Sequence, residues 1–412
     1  MNSQGIARGR AWYQKARYVV PLALVLCLSG YLVWDFYPPR QILVEPATLA
    51  GVPCGRAPDL VVQGHDPDGR LWATRGMWAY RLADDGGRFV RQYRVPTGPT
   101  VYWLGNFTLV RWLTSFPECV DLLPFGDGGA VALSAGWIWH REQGDRAFER
   151  VLPLRHYGIS TGRGAMPAGL TRLRDGTVMF GEYWRNPENG DVRVYGSRDG
   201  GRTWRVVHTF PPGAVRHVHA VQEDPYTGQV WICAGDKDPE SIVTTMDPDG
   251  EAVAIVGQGA QRWRVVQVAF THEAVLWGAD TPGTDGGIWR WDRATRELAR
   301  LNTIHGEVFY ANRLEDGTLV FSQVVEHVGG DIDAQAHLWV LFEETGPPVP
   351  IVLGQQQAGP LSTRYAMPRL PRTGGSRNLY VTLVNIEPYA GDLLILSPSA
   401  LRKAVGTTGG AD

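Results

Sequence analysis

A chain of 412 residues with 40 Lys and Arg against 42 Asp and Glu carries a formal net charge of −2. Its 44% hydrophobic and 20% charged residues are the balance of a folded globular protein. That excludes disorder over most of the length, and the lack of a basic field excludes nucleic acid as an expected partner. Fifty Gly and 16 Trp imply many tight turns between large packed aromatics, and four Cys are too few for a disulfide scaffold.

The first element is apolar. Residues 18–34, YVVPLALVLCLSGYLVW, hold no charge, with Arg8, Arg10, Lys15 and Arg17 before them and Asp35 and Pro38-Pro39 after them. Seventeen residues are at the short end of a membrane-spanning helix, and the basic flank places the N-terminus on the cytoplasmic side. The expectation is a cytoplasmic tail over 1–17, a single-pass anchor over 18–34 and a body exported to the periplasmic or extracellular side. A cleaved signal peptide over the same stretch exports the body equally. In an oxidising compartment one disulfide is allowed, with Cys54–Cys119 the expected pair, while Cys233 in the apolar run QVWICAG reads as a buried thiol.

After a linker over 35–54, long helical periodicity is absent. Short runs rich in Val, Trp, Tyr, Phe and Thr stand between Asp-Gly and Gly-Gly turns. Seven of them share a pattern, with markers at Trp72, Val131, Met179, Trp231, Trp277, Val320 and Tyr380, 43 to 60 residues apart. A period near 50 with only strands inside it predicts an all-β fold: a β-propeller of about seven four-stranded blades over 55–400. The strand QILVEP at 41–46 is expected to complete the last blade, and 401–412 reads as a flexible tail.

Residues 197–204, SRDGGRTW, fit S-x-D-x-G-x-T-W, with a weaker copy, ADDGGRFV, at 83–90. This resembles the Asp box, or BNR repeat, of the sialidase-like propellers. The resemblance implies a turn between the third and fourth strands of a blade, on the face away from the active site. Asp199 would accept turn N–H bonds and Trp204 would pack between sheets. Sialidases carry an R-I-P-type segment whose Arg helps hold the substrate carboxylate. Here Ala165 and Ala366 occupy that place, with Arg163 and Arg364 two residues earlier, so sialidase activity itself does not carry over. What does carry over is carbohydrate as the expected ligand class.

In a propeller the residues before each innermost strand and after each second strand meet at the mouth of the central channel. Read in that register, the basic set is Arg163, Arg216, Arg262, Arg264 and Arg364, and the acidic set after second strands is Glu182, Asp236, Asp280, Glu326 and Glu387. Glu182, Asp236 and Asp280 are the acid/base candidates. Arg163, Arg216, Arg264 and Arg364 are candidates for gripping anionic groups, with Glu326 and Glu387 beside them as ligand contacts. His217 and His219, at i and i+2 on a strand, point to one side. They could position or deprotonate a substrate, or ligate a divalent metal with Asp236 or Asp238, and no cofactor is otherwise indicated. The loop 235–241 alternates Asp236, Asp238 and Glu240 but lacks the glycine and later acidic positions of a calcium-binding EF-hand loop. Trp184 and Trp263 are candidates to stack on a sugar. No nucleotide, thiol-redox or serine-hydrolase motif is present.

The sequence thus leads to a glycan-active propeller, hydrolase or lyase, at the outer face of a membrane. A non-catalytic propeller scaffold is the alternative.

Overall fold

The computed structural model describes residues 37–97, 121–126, 128–158, 162–326, 335–357, 366–372 and 375–408. Seven antiparallel sheets follow one another along the chain, and the innermost strands of successive sheets pack side by side around a common axis. The fold is a seven-bladed β-propeller. Blade 4 shows the plan, running from the axis outward through Val218–Glu223, Val230–Ala234, Ile242–Met246 and Ala254–Gln258.

All seven sequence markers fall on the second strand of a blade, from Leu71–Arg75 in blade 1 to Leu379–Val384 in blade 7. The reason is burial on both faces. A second strand lies between two neighbouring blades, so Val230–Ala234 and Ala274–Ala279 are buried at every residue and read as continuous apolar runs. Outer strands such as Ala254–Gln258 face water and carry little signal. Trp72, Trp231 and Trp277 fill the space between blades and are almost wholly buried. Burying such rings contributes on the order of 3 kcal/mol each.

The inner strands diverge too far for a continuous ladder, and side chains bridge them. Gln222 of blade 4 accepts from Val268 N–H at 2.9 Å and donates to Val268 C=O at 3.2 Å in blade 5. At the closure, Thr382 on the second strand of blade 7 accepts from Val62 N–H of blade 1 and donates to Leu60 C=O, both at 2.9 Å.

The ring closes differently from the sequence expectation. Residues 41–46 do not form one strand. Gln41–Leu43 adds to the outside of blade 1, whereas Glu45–Leu49 and Val52–Ala57 form the two outer strands of blade 7. The tail differs too: a helix, α1 (Pro398–Thr408), continues past residue 400 and packs Leu401 and Ala404 into the core of the last blades. Among the described residues no helix is long and apolar enough to cross a membrane, and the expected anchor at 18–34 lies outside them. Cys119 also lies outside them, so the expected Cys54–Cys119 pair does too. Cys233 is fully buried, and that burial pushes its thiol up to about 12.

The turn at 197–204 joins the third and fourth strands of blade 3, Val192–Ser197 and Arg205–Phe210. Asp199 Oδ1 accepts from the backbone N–H of Arg202 at 3.0 Å and of Thr203 at 2.8 Å, and Trp204 packs edge-on against Phe180. Gly201 stands at φ 95° with Val131 of blade 2 against it, so a side chain there would be strained and would clash. The copy at 83–90 occupies the same turn of blade 1, where Asp85 accepts from Gly87 N–H at 2.9 Å.

Candidate functional site at the channel mouth

Inner strands start, and second strands end, at one end of the axis. There a cup of about 240 Å³ is lined by residues of blades 3 to 7, among them Arg163, Tyr183, His219, Asp236, Arg264, Asp280 and Glu326. Six of the residues selected from sequence therefore share one cavity, though they span more than 160 positions. Below the cup the channel narrows to about 30 Å³, and a vestibule of about 400 Å³ opens at the far end. Arg372 stands in that lower channel, its guanidinium paired with Asp121 and donating to the carbonyls of Gln63 and Leu122.

Arg264 precedes the inner strand Val265–Phe270 of blade 5 and lies between two carboxylates, with Nε 3.1 Å from Asp280 Oδ2 and 3.7 Å from Asp236 Oδ1. Asp280, just after the second strand of blade 5, is 3% exposed, and its Oδ1 is buried without a hydrogen-bond partner among the described residues. Burial pushes its carboxyl well above the ordinary carboxylate range; Arg264 pulls it down, and Glu326, Asp236 and Glu307 push it up again. Burial and the three carboxylates outweigh Arg264, so the Asp280 carboxyl is raised where that of Asp236 is lowered. Burial works to lower the Arg264 guanidinium, but Asp280, Asp236 and Glu326 around it raise it.

His217 and His219 flank the start of the inner strand of blade 4. Each ring is about 4% exposed and fixed from behind by a neighbouring blade. His217 Nδ1 lies 2.9 Å from Trp184 C=O, and His219 Nδ1 lies 3.1 Å from Val265 C=O. A carbonyl only accepts, so both Nδ1 atoms carry a proton, and both Nε2 atoms turn inward toward each other. These Nε2 atoms are 3.0 Å apart, and they lie 3.0 and 3.1 Å from Asp236 Oδ1. The other Asp236 oxygen, Oδ2, accepts from Arg216 at 3.1 Å. Burial lowers His219 toward the neutral form. Among the described residues this is the cluster that could hold a metal ion. Tyr183 packs its ring 4.1 Å from that of His217.

Several expected residues stand elsewhere. Glu182 does not face the cup. Tyr183 does, and strand alternation then turns Glu182 the other way. Its carboxylate accepts from Arg193 N–H at 2.9 Å and from Tyr195 Oη at 3.3 Å, with Arg155 3.5 Å away. Glu387 is exposed on a short strand, Ile386–Glu387, that leaves blade 7 and pairs with the outer strand of blade 6. Arg216 sits at the rim, held by Arg185 C=O and Asp236. Arg364 lies outside the described residues. Asp238 is exposed, and Glu240 accepts from Lys237 N–H at 3.1 Å inside its own loop, so 235–241 is a self-capped turn without converging oxygens. Trp263 packs on Trp277 in the blade core, Trp184 stacks one face on His156 at 3.6 Å, and neither is among the residues that line the cup.

Sequence reasoning missed Tyr183, Phe309, Tyr310 and Met367, the apolar wall of the cup. The available signal was alternation: each of the first three is one residue removed from a position already singled out, or opens an inner strand.

No family model and no curated protein sequence matches the chain. Among solved structures it is similar to an oligogalacturonate lyase in complex with manganese, at 14% identity over 88% of this chain and 98% of that one, with a TM-score of 0.56. It is also similar to YCF48 from Cyanidioschyzon merolae, at 12% identity over 87% and 99%, TM-score 0.49. A GH74 xyloglucanase from Xanthomonas campestris matches at 17% identity over 76% of this chain and 48% of that one, TM-score 0.47. At these identities the likeness is one of fold, and the fold is the β-propeller.

Proposed function

We propose that this chain is exported, tethered to a membrane through residues 18–34, and holds a carbohydrate in the cup, cleaving it by hydrolysis or elimination. The observation that carries this reading is Asp280: a buried carboxyl whose Oδ1 has no hydrogen-bond partner among the described residues, raised well above the ordinary carboxylate range beside Arg264 in a cavity open to solvent. A carboxyl raised in this way next to a fixed guanidinium is the equipment for protonating a leaving oxygen while an adjacent anionic group is gripped. The cup is smaller than the ~300 Å³ low end of ligand pockets, so it takes one sugar ring, with the rest of the glycan outside. Met166, Met367 and Tyr310 provide an apolar wall for the ring face. Arg163 and Arg264 favour an acidic sugar. The Asp-box resemblance and the lyase of similar fold, which is named for an acidic glycan, agree with that ligand class.

The test is a screen of the full-length protein against acidic and neutral glycans with product detection. Product is expected with an acidic glycan, lost in Asp280→Asn, and formed with a raised KM in Arg264→Gln. Binding without product in the wild type would return the protein to the scaffold reading. No binding to any glycan would discard the carbohydrate reading.

A further inference from the structure

We infer that His217, His219 and Asp236 form a divalent-metal site, a three-residue face that holds one hexacoordinate first-row cation at the edge of the cup. The inference goes beyond the carbohydrate reading and stands without it.

The case begins with proton counting. Both Nδ1 atoms are committed to the carbonyls of Trp184 and Val265, so three acceptor atoms, His217 Nε2, His219 Nε2 and Asp236 Oδ1, converge with separations of 3.0, 3.0 and 3.1 Å. With no further proton, three lone pairs face one another in a buried place. One proton on either Nε2 covers two of the contacts and leaves the third repulsive. Two protons set two imidazolium N–H groups against each other at 3.0 Å. No protonation state satisfies all three contacts, whereas a single cation does.

The geometry then selects the ion. The three atoms form a nearly equilateral triangle. An ion ~2.1–2.2 Å from each corner subtends angles of about 90°, the face of an octahedron rather than of a tetrahedron. Two imidazoles and one carboxylate suit Mn²⁺, Fe²⁺, Co²⁺ or Zn²⁺ better than Ca²⁺. The surrounding bonds are those a metal site needs. Each imidazole is oriented by a backbone carbonyl, and Arg216 holds Asp236 Oδ2, which leaves Oδ1 turned to the histidines. His219 and Asp236 line the cavity, so the ion borders it.

The test uses the full-length protein stripped with chelator and titrated calorimetrically with Mn²⁺ and Zn²⁺, with no glycan present. One equivalent of each is expected to bind, and His219→Ala and Asp236→Asn are each expected to weaken binding by about 100-fold or more. Pulsed electron paramagnetic resonance of the Mn²⁺-loaded wild type needs no variant and should show ¹⁴N coupling from imidazole. No binding by the wild type, binding unchanged in both variants, or bound Mn²⁺ without nitrogen coupling would each overturn the site. Because no sugar is used, this outcome is independent of the glycan screen.

Discussion

Asp280 and Asp236 lie on either side of one guanidinium, and their carboxyls are shifted in opposite directions. Asp236 is partly exposed and also meets Arg216 and the two histidines; although burial works to raise its carboxyl, its contacts with His217 and His219 hold it below the usual range. Asp280 has Arg264 alone, set against burial and three carboxylates. The sign of the consequence is fixed. A carboxyl whose pKa is raised on folding stabilises the protein fully below the unfolded value of ~3.9, and that stabilisation is lost as pH rises through the folded value. Asp280→Asn keeps the neutral shape at every pH. Thermal melts from pH 4 to 9 are therefore expected to show the melting temperature of the variant minus that of the wild type rising with pH, and a difference that stays flat or falls would refute the raised carboxyl. At this scale the sequence was informative about which residues meet and silent about their states. His217 and His219 could be placed on one side of a strand by spacing. Their tautomers could not be read, because the carbonyls that set them come from Trp184 and Val265, 33 and 46 positions away.

At the level of elements, a second strand buried on both faces announces itself as an apolar run, so all seven were legible. The outer strands and the exact closing strand were not, since residues 41–57 are half exposed and their pairing depends on partners at the opposite end of the chain. Glu387 was misplaced for the same reason: it follows a legible second strand, but Ile386–Glu387 pairs with a neighbouring blade. The side-chain bridges between inner strands were also invisible in the sequence, and they have a measurable weight. Gln222→Ala leaves the Val268 N–H and C=O buried without their bridge. It is expected to destabilise the protein by about 1–3 kcal/mol in denaturant melts. Gln222→Glu, which keeps an acceptor for Val268 N–H, should restore the bond to that N–H but leave the C=O unmatched. A cost below about 0.5 kcal/mol for the alanine variant would mean that the blades are held by apolar packing alone.

For the whole molecule, the period near 50 was sufficient to give the architecture, and the architecture in turn brings Arg163, His219, Asp236, Arg264, Asp280 and Glu326 to one cavity. Which blade carries the extra strands bears on integrity. Removal of residues 1–57 uncovers Leu393–Leu396 as a bare sheet edge in blade 7 and strips Gln41–Leu43 from blade 1. Open edges of this kind recruit other chains. That deletion is expected to lower the melting temperature and to form oligomers in light scattering, whereas removal of 1–36 touches no described strand and should leave a monomer. A monomeric 58–412 chain melting at the parental temperature would show that closure does not support the ring.

Gly55 pairs with Ile395, so a segment made before the first six blades waits for one made after them. The circle cannot be sealed until the seventh blade has been made, and the six earlier blades must meanwhile persist as an arc. Long-range pairing of this kind folds slowly. A chain that stops before Leu393 would never latch, and the cell would meet it as an adhesive, unsealed arc, a form readily distinguished from the finished ring by proteases and holdases.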